Sequence, residues 1–289
     1  MLWDLFPTRK QLGGAPANFA YITNLFGNIG IPASRVGRDS LGTESLQQLS
    51  RLGLTSEFVQ QDSHHATGTV LVEIGDGGQP RFEISEPAAW DFLEWTPAWQ
   101  ELAGRTDAVC FGSLAQRAPQ SRNTILNFLR ATRPGAVRVF DVNLRQHFYS
   151  RDVLQQSMQL ANVAKLNHEE LPRIMQLFEL EHRNDEDSAR VLLLLHSLKM
   201  VCVTRGAEGS ILMSPYASSK HPGFRVRVVD TVGAGDAFTA ALLRGYLAGA
   251  PLEEINDTAN RIGAWVASQA GATPALNAAS LEETLAGIA

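Results

Sequence analysis

The sequence predicts an α/β fold: a mostly parallel central sheet flanked by helices, with a small β lid. Three observations lead there. From about residue 105 short apolar or β-branched runs alternate with segments of helix length. Two alternating runs in the first hundred residues flank a glycine-rich GDGGQ and read as a hairpin. No repeat, low-complexity tract or linker divides the 289 residues. One domain over residues 1–289, with a lid excursion around 60–95, is therefore the economical organisation.

In chain order, PANFAYITNLFG reads as a helix with proline in its first turn and glycine just past its end. TGTVLVEI and PRFEIS are the hairpin strands, an excursion from the main sheet. DAVCF, VRVFD, NVAKL and MVCVT are the short buried strands. QSRNTILNFLRAT and DEDSARVLLLLHSL are helical segments between them, and GAGDAFTAALLRGYLAG and PLEEINDTANRIGAWVASQAG close the chain as amphipathic helices.

Composition narrows the function. Hydrophobic residues make up 44% and charged residues 19%, the profile of a globular protein rather than a disordered one. The net charge of −5, with no lysine or arginine run, argues against a nucleic-acid groove or an anionic membrane surface as partner. Cys110 and Cys202 lie in apolar runs and read as small core side chains, in keeping with a reducing cytoplasm. MLWDLFPTRK has no signal-peptide pattern, and VLLLL is far short of a membrane span.

In open parallel sheets ligands bind beyond the carboxyl ends of the strands. After DAVCF come Gly112 and Ser113; after VRVF come Asp141, Asn143 and Arg145. After NVAKL come Asn167, Glu169 and Glu170; after VCV come Thr204, Gly206 and Gly209. Each has an ordinary explanation in turns and caps, yet four polar or glycine-rich strand ends converge on one rim. P-loop, dinucleotide, nucleophile-elbow and HExxH patterns are all missing.

The stretch DTVGAGDAF, residues 230–238, stands directly before an apolar helix. Gly233, Ala234 and Gly235 let successive N–H groups point into one space, and the helix adds its positive end. A phosphoryl group gaining charge in transit is stabilised by such a turn. Asp236 there is suited to accept a hydroxyl proton. Aspartate is equally a favoured helix cap, and the stretch taken alone leaves both readings open.

Together GGAPANFA, DTVGAGDAF and the strand-end residues resemble the PfkB (ribokinase-like) carbohydrate kinase family, from residue 1 to about 276. FGSLAQR and FDVNLR look most like its fructokinase branch. The resemblance implies an ATP-dependent transfer of the γ-phosphoryl group to a sugar hydroxyl with Mg²⁺, most naturally on fructose. Other sugar or nucleoside kinases of the family (ribose, 2-keto-3-deoxygluconate) and a silent ligand-binding protein are the alternatives. Carried over motif by motif, Asp236 is the base, with Gly233, Ala234 and Gly235 as the anion hole. Asp4, Gly14, Asn18 and Arg145 would hold sugar or transferred phosphate, by paired hydrogen bonds in the case of the carboxylate and amide. Arg145 reads as well as a surface arginine, and Asn18 as a helical surface amide.

Asn167 and Glu170 match the family's NxxE, which arranges Mg²⁺ waters and phosphates. Thr204, Gly206 and Gly209 match its nucleotide loop, and Asn260 lies on the helix that lines the adenine. Asp230 and Thr231, with carbonyls near Val266, Gln269 and Gly271, match a monovalent-cation site for K⁺; Asp230 reads equally as a turn carboxylate. By analogy the lid strands suggest a homodimer, and Gly75, Gly77 and Gly78 a pliable lid turn that closes over the sugar. Family members open with a buried strand ending in Gly-Glu, and Met1-Leu2-Trp3-Asp4 stands where the following run is already under way. The first strand is accordingly expected to be missing, at a cost in stability and sugar affinity.

Overall fold

The computed structural model describes residues 1–74, 80–276 and 280–288. The chain begins with β1 (Leu2–Leu5), β2 (Lys10–Gly13), α1 (Ala15–Leu25), β3 (Ser34–Gly37), α2 (Ser40–Arg51) and β4 (Val59–Asp62). The predicted hairpin follows as β5 (Thr69–Ile74) and β6 (Pro80–Ile84), paired antiparallel. Its turn glycines, Gly75, Gly77 and Gly78, lie outside the described residues. Then come α3 (Pro97–Arg105), β7 (Ala108–Gly112), α4 (Pro119–Ala131), β8 (Val137–Asp141), α5 (Arg151–Leu160), β9 (Val163–Asn167), α6 (Glu170–Leu177) and α7 (Asp185–Leu195). Last are β10 (Met200–Thr204), β11 (Ser210–Met213), β12 (Ser218–His221), α8 (Ala234–Leu247), α9 (Leu252–Ala267) and α10 (Leu281–Ala286).

The expected parallel sheet is present. Its order is β12-β11-β10-β9-β8-β7, with β7 to β10 parallel and β11 and β12 added antiparallel. Strands β9 and β10 are buried on both faces because helices cover both. Alternation sends Val139, Val163 and Cys202 toward one core, with Phe238, Leu242 and Trp265 of α8 and α9. It sends Phe140, Ala164 and Val203 to the opposite core, under Leu154, Leu171 and Leu192 of α5, α6 and α7. Helix entries are stitched by short polar side chains: Asp39 accepts from the Gly42 amide at 2.7 Å, and Ser150 and Asn184 cap α5 and α7.

The predicted hairpin is part of a larger sheet. A four-stranded sheet, β2-β1-β5-β6, recruits residues 2–13, far from the expected excursion around 60–95. The reason lies in β1, whose Trp3 is 2% exposed and donates from Nε1 to Leu41 O and Ser45 Oγ. That anchor sets the next residue, Asp4, on the opposite face of the strand. Strands β3 and β4 form a separate parallel pair. Among the described residues β3 pairs with β4 alone and β7 with β8 alone.

Candidate active site

The site forms where α8 begins. Gly233 precedes the helix at φ 79°, a left-handed conformation open to glycine, and a Cβ there would stand 2.5 Å from that of Ala272. No side chain caps the helix, so Asp236, in its first turn, is free of the capping role left open by the sequence. Its carboxylate instead accepts from Asn18 Nδ2 at 2.8 Å. Burial first, and then the Asp141 charge, push Asp236 up to about 6, against the Asn18 hydrogen bond and the Lys165 and Arg145 cations.

Asn18 is only 3% exposed, so it is no surface amide; α1 carries it, entered through Gly14 at φ 104°. It lines a cavity of about 310 Å³ with Trp3, Gln11 and Thr273. Asp4 lies against Gly13, where a Cβ would approach its Oδ2 to 2.5 Å. Burial and then the Asp230 charge push Asp4 up to about 6, while Arg145 pulls it down. Arg145 is exposed and donates to its neighbour's carbonyl, but its charge reaches both Asp4 and Asp236. Two carboxylates and one cation thus share the space between α1, α8 and the loop after β8.

Beneath the α8 turn lies a pair of which the sequence reading named only Asp141 and missed Lys165. Asp141 and Lys165 are register partners on β8 and β9. Lys165 Nζ donates to both Asp141 oxygens, at 3.1 and 3.2 Å. Thr239 Oγ1 donates to Asp141 Oδ2 at 3.0 Å, and is 2.9 Å from the Gly235 carbonyl. The signal was present in NVAKL: a lysine inside a strand buried on both faces needs a partner.

Asn167 and Glu170 close on each other. Asn167 Oδ1 accepts from the amides of Glu169 and Glu170, and Glu170 Oε2 accepts from the Asn167 amide at 2.8 Å. Glu170 Oε1 takes the Leu144 amide at 2.8 Å. Burial holds Glu170 above the usual carboxylate range. Each carboxylate oxygen keeps a lone pair after its one backbone bond. Among the described residues no group of three His, Cys, Asp or Glu side chains could cage a metal. A single carboxylate with spare lone pairs fits Mg²⁺ that retains water and phosphate ligands.

Thr204, Gly206 and Gly209, matched to the family's nucleotide loop by resemblance, sit on the β10–β11 hairpin, where Gly206 and Gly209 have φ 58° and 79°. Asn260 is 8% exposed, and its amide is spent inside the protein on Ser210 Oγ at 2.7 Å and on Asn256. Asp230 acts as a turn carboxylate and also reaches the segment after α9. Oδ1 accepts from the Val232 amide of its own turn, and Oδ2 from the Gly271 amide at 3.3 Å. Thr231 is exposed, and its carbonyl accepts from the Ala234 amide. Ala267 O, between Val266 and Gln269, takes the Val229 and Asp230 amides.

Comparison with known proteins gives the family and the fold. The profile of the family described as pfkB family carbohydrate kinase matches residues 6–279. A fructokinase of Escherichia coli is 36% identical over 280 residues, covering 91% of this chain and 88% of that protein. The crystal structure of a sugar kinase from Pyrococcus horikoshii in complex with ATP superposes with a TM-score of 0.81 at 26% identity, covering 94% of this chain and 91% of that one. A fructokinase of Vibrio cholerae in fructose, ADP and calcium ion bound form gives a TM-score of 0.79 at 26% identity, over 95% and 92% of the chains. A double mutant of that fructokinase is known in fructose, ADP and potassium ion bound form.

Proposed function

The chain belongs to the pfkB family of carbohydrate kinases, and we propose on that premise that it transfers the γ-phosphoryl group of ATP to a hydroxyl of fructose. One observation carries the chemistry. Asp236 combines a 2.8 Å bond to Asn18 with a site that holds it near 6, at the N-terminus of α8. At pH 7 such a carboxylate is mostly ionised, yet basic enough to take a proton from an attacking hydroxyl. As the oxygen attacks phosphorus, the proton passes to Asp236 and the bond to the ADP oxygen breaks. The amides at Gly233 and Gly235 face the charge spreading over the phosphoryl oxygens, while the Ala234 amide, bonded to the Thr231 carbonyl, fixes the turn that aims them.

Asp4, Gly14 and Asn18 hold the sugar in this reading, and Arg145 meets the transferred phosphate. Thr204, Gly206 and Gly209 border the nucleotide, and Asn260 braces α9 behind it. Bound Mg²⁺ would neutralise phosphate charge, with Glu170 and Asn167 holding its waters. Asp230 and Thr231 would serve a monovalent cation, K⁺ by the potassium form known for the Vibrio relative. We place the protein in the cytoplasm and take the lid as a homodimer face; no helix among the described residues is long and apolar enough to cross a membrane.

The test is ATP consumption by the purified protein across a panel of fructose, ribose, 2-keto-3-deoxygluconate and nucleosides. Fructose is expected to give the highest kcat/KM. A higher value for another member would reassign the substrate, and absence of turnover on every member would refute the kinase reading.

A further inference from the structure

Of the buried Asp141–Lys165 pair, Asp141 lies in FDVNLR but has been given no role, and Lys165 stands outside every motif that identifies the site. We propose that the two are a positioning pair for phosphoryl transfer, forming the charged floor under the Gly233–Gly235 turn and setting the field that Asp236 works in. The proposal rests on the kinase reading above.

The geometry begins with register. Asp141 on β8 pairs with Lys165 on β9, and Lys165 with Cys202 on β10. Because side chains alternate, Lys165 shares its face with Val163, the face covered by α8. The sheet therefore drives an ammonium straight at the start of that helix. At 8% and 5% exposure, Lys165 and Asp141 are out of reach of bulk water.

Contacts then run unbroken from sheet to turn. Lys165 Nζ donates to Asp141, and the Thr239 hydroxyl, with one proton to give, stands 3.0 Å from Asp141 Oδ2 and 2.9 Å from the Gly235 carbonyl. Gly235 rests on the ammonium: a Cβ at that position would stand 3.1 Å from Lys165 Nζ. An ammonium has three N–H donors, and one carboxylate partner leaves donor capacity for the turn above. Stability alone gives little reason for the arrangement, since well-packed apolar residues usually replace a buried ion pair at no cost. Position is what the pair supplies: a cation under the amides where phosphate oxygens gather, and an anion that keeps it in place.

Charge at Asp236 follows from the same arrangement. The charged or titratable groups facing it are Cys110 of β7, Asp141 of β8, Lys165 of β9 and Arg145 of the loop after β8, with the Asn18 amide of α1. Asp141 raises the Asp236 proton affinity and Lys165 lowers it. Removing each charge alone moves Asp236 in opposite directions.

The experiment measures kcat/KM against pH, at saturating ATP, for the sugar that the wild type phosphorylates best. Its acid limb reports the base of the free enzyme. Lys165→Met is expected to raise the limb by about half a unit or more and to lower kcat at least tenfold, with the sugar KM little changed. Asp141→Asn is expected to lower the limb, and Lys165→Arg to restore both limb and rate most of the way. Limbs that stay put, or move together in folded variants, would overturn the proposal. If Lys165→Met does not fold, Asp141→Asn and Lys165→Arg decide: a limb raised or unmoved by the first, or shifted upward by the second, overturns it. Wild type inactive on every sugar removes the kinase reading and this inference with it. An active wild type with unmoved variants removes this inference alone.

Discussion

Asp236 is held where its negative charge is expensive and its basicity is useful. Replacing it with the near-isosteric Asn keeps an acceptor for Asn18 and removes the base. Asp236→Asn is expected to lower kcat by roughly 100-fold or more, with nucleotide affinity, read by calorimetry, nearly intact. Turnover close to wild type would return the residue to a structural role. The same variant has a stability signature. Folding raises Asp236 from 3.8 to about 6, so the folded state binds the extra proton between those values. The stability this lends is full below pH 3.8 and is lost as pH rises through 6. Asn lacks that loss, so the variant's unfolding midpoint should gain on wild type as pH climbs from 4 to 7. A constant difference across that range would contradict the raised carboxyl. Asp236 and its glycines were legible because they lie in nine consecutive residues. Lys165 escaped because its partner Asp141 is 24 residues away, and only the sheet brings them together.

At the scale of elements, the site depends on how strands and helices are entered. Gly209 ends the turn between β10 and β11 at φ 79°, and a Cβ there would fall 2.0 Å from the His221 carbonyl oxygen. Backbone cannot yield as a flexible side chain does, so Gly209→Ala should cost about 1–3 kcal/mol in chemical denaturation. If the hairpin borders the nucleotide, the ATP KM should rise more than the sugar KM. Equal effects on both would mean that the hairpin acts through overall stability. Arg117 ties the end of β6 to the rest: it donates to the Ser85 carbonyl at 2.6 Å, bonds Asp91 at 2.7 and 2.8 Å and packs on the rings of Trp90 and Phe148. Gln146 Nε2 reaches the Phe82 carbonyl of β6 at 2.6 Å, joining the loop that carries Arg145 to that sheet. Alternation in TGTVLVEI and PRFEIS made the hairpin readable. The addition of β1 and β2 to it was not, because their pairing is settled by where Trp3 finds a buried pocket.

For the whole molecule, the six-stranded sheet and the β3–β4 pair share one core, in which Val36 and Val59 pack with Val137 and Val139. Met1 is buried beside β3, its amine 2.8 Å from Ser34 Oγ and lowered by burial to about 5. We propose that a β-forming segment ending in Gly-Glu, placed ahead of Leu2, would pair with an open edge and replace the buried amine by an amide. Unpaired buried backbone groups cost about 1–3 kcal/mol each. The extended protein is expected to show a higher unfolding midpoint and a lower sugar KM, since Asp4 follows directly from β1's anchor. If neither quantity moves, the sheet edges are satisfied in another way.

The sequence by itself determined the family, the parallel strands and the α8 turn, because each is encoded in contiguous residues whose period or glycine spacing admits few conformations. Tertiary structure alone decided the rest. It turned Asn18 inward onto a residue 218 positions away, gave Asn260 to an internal network, and set Lys165 under Gly235. Those outcomes depend on which strands become neighbours and on which face each helix covers. The charge of a side chain is written in the sequence, but the dielectric around it and the groups that face it exist only once distant segments have packed.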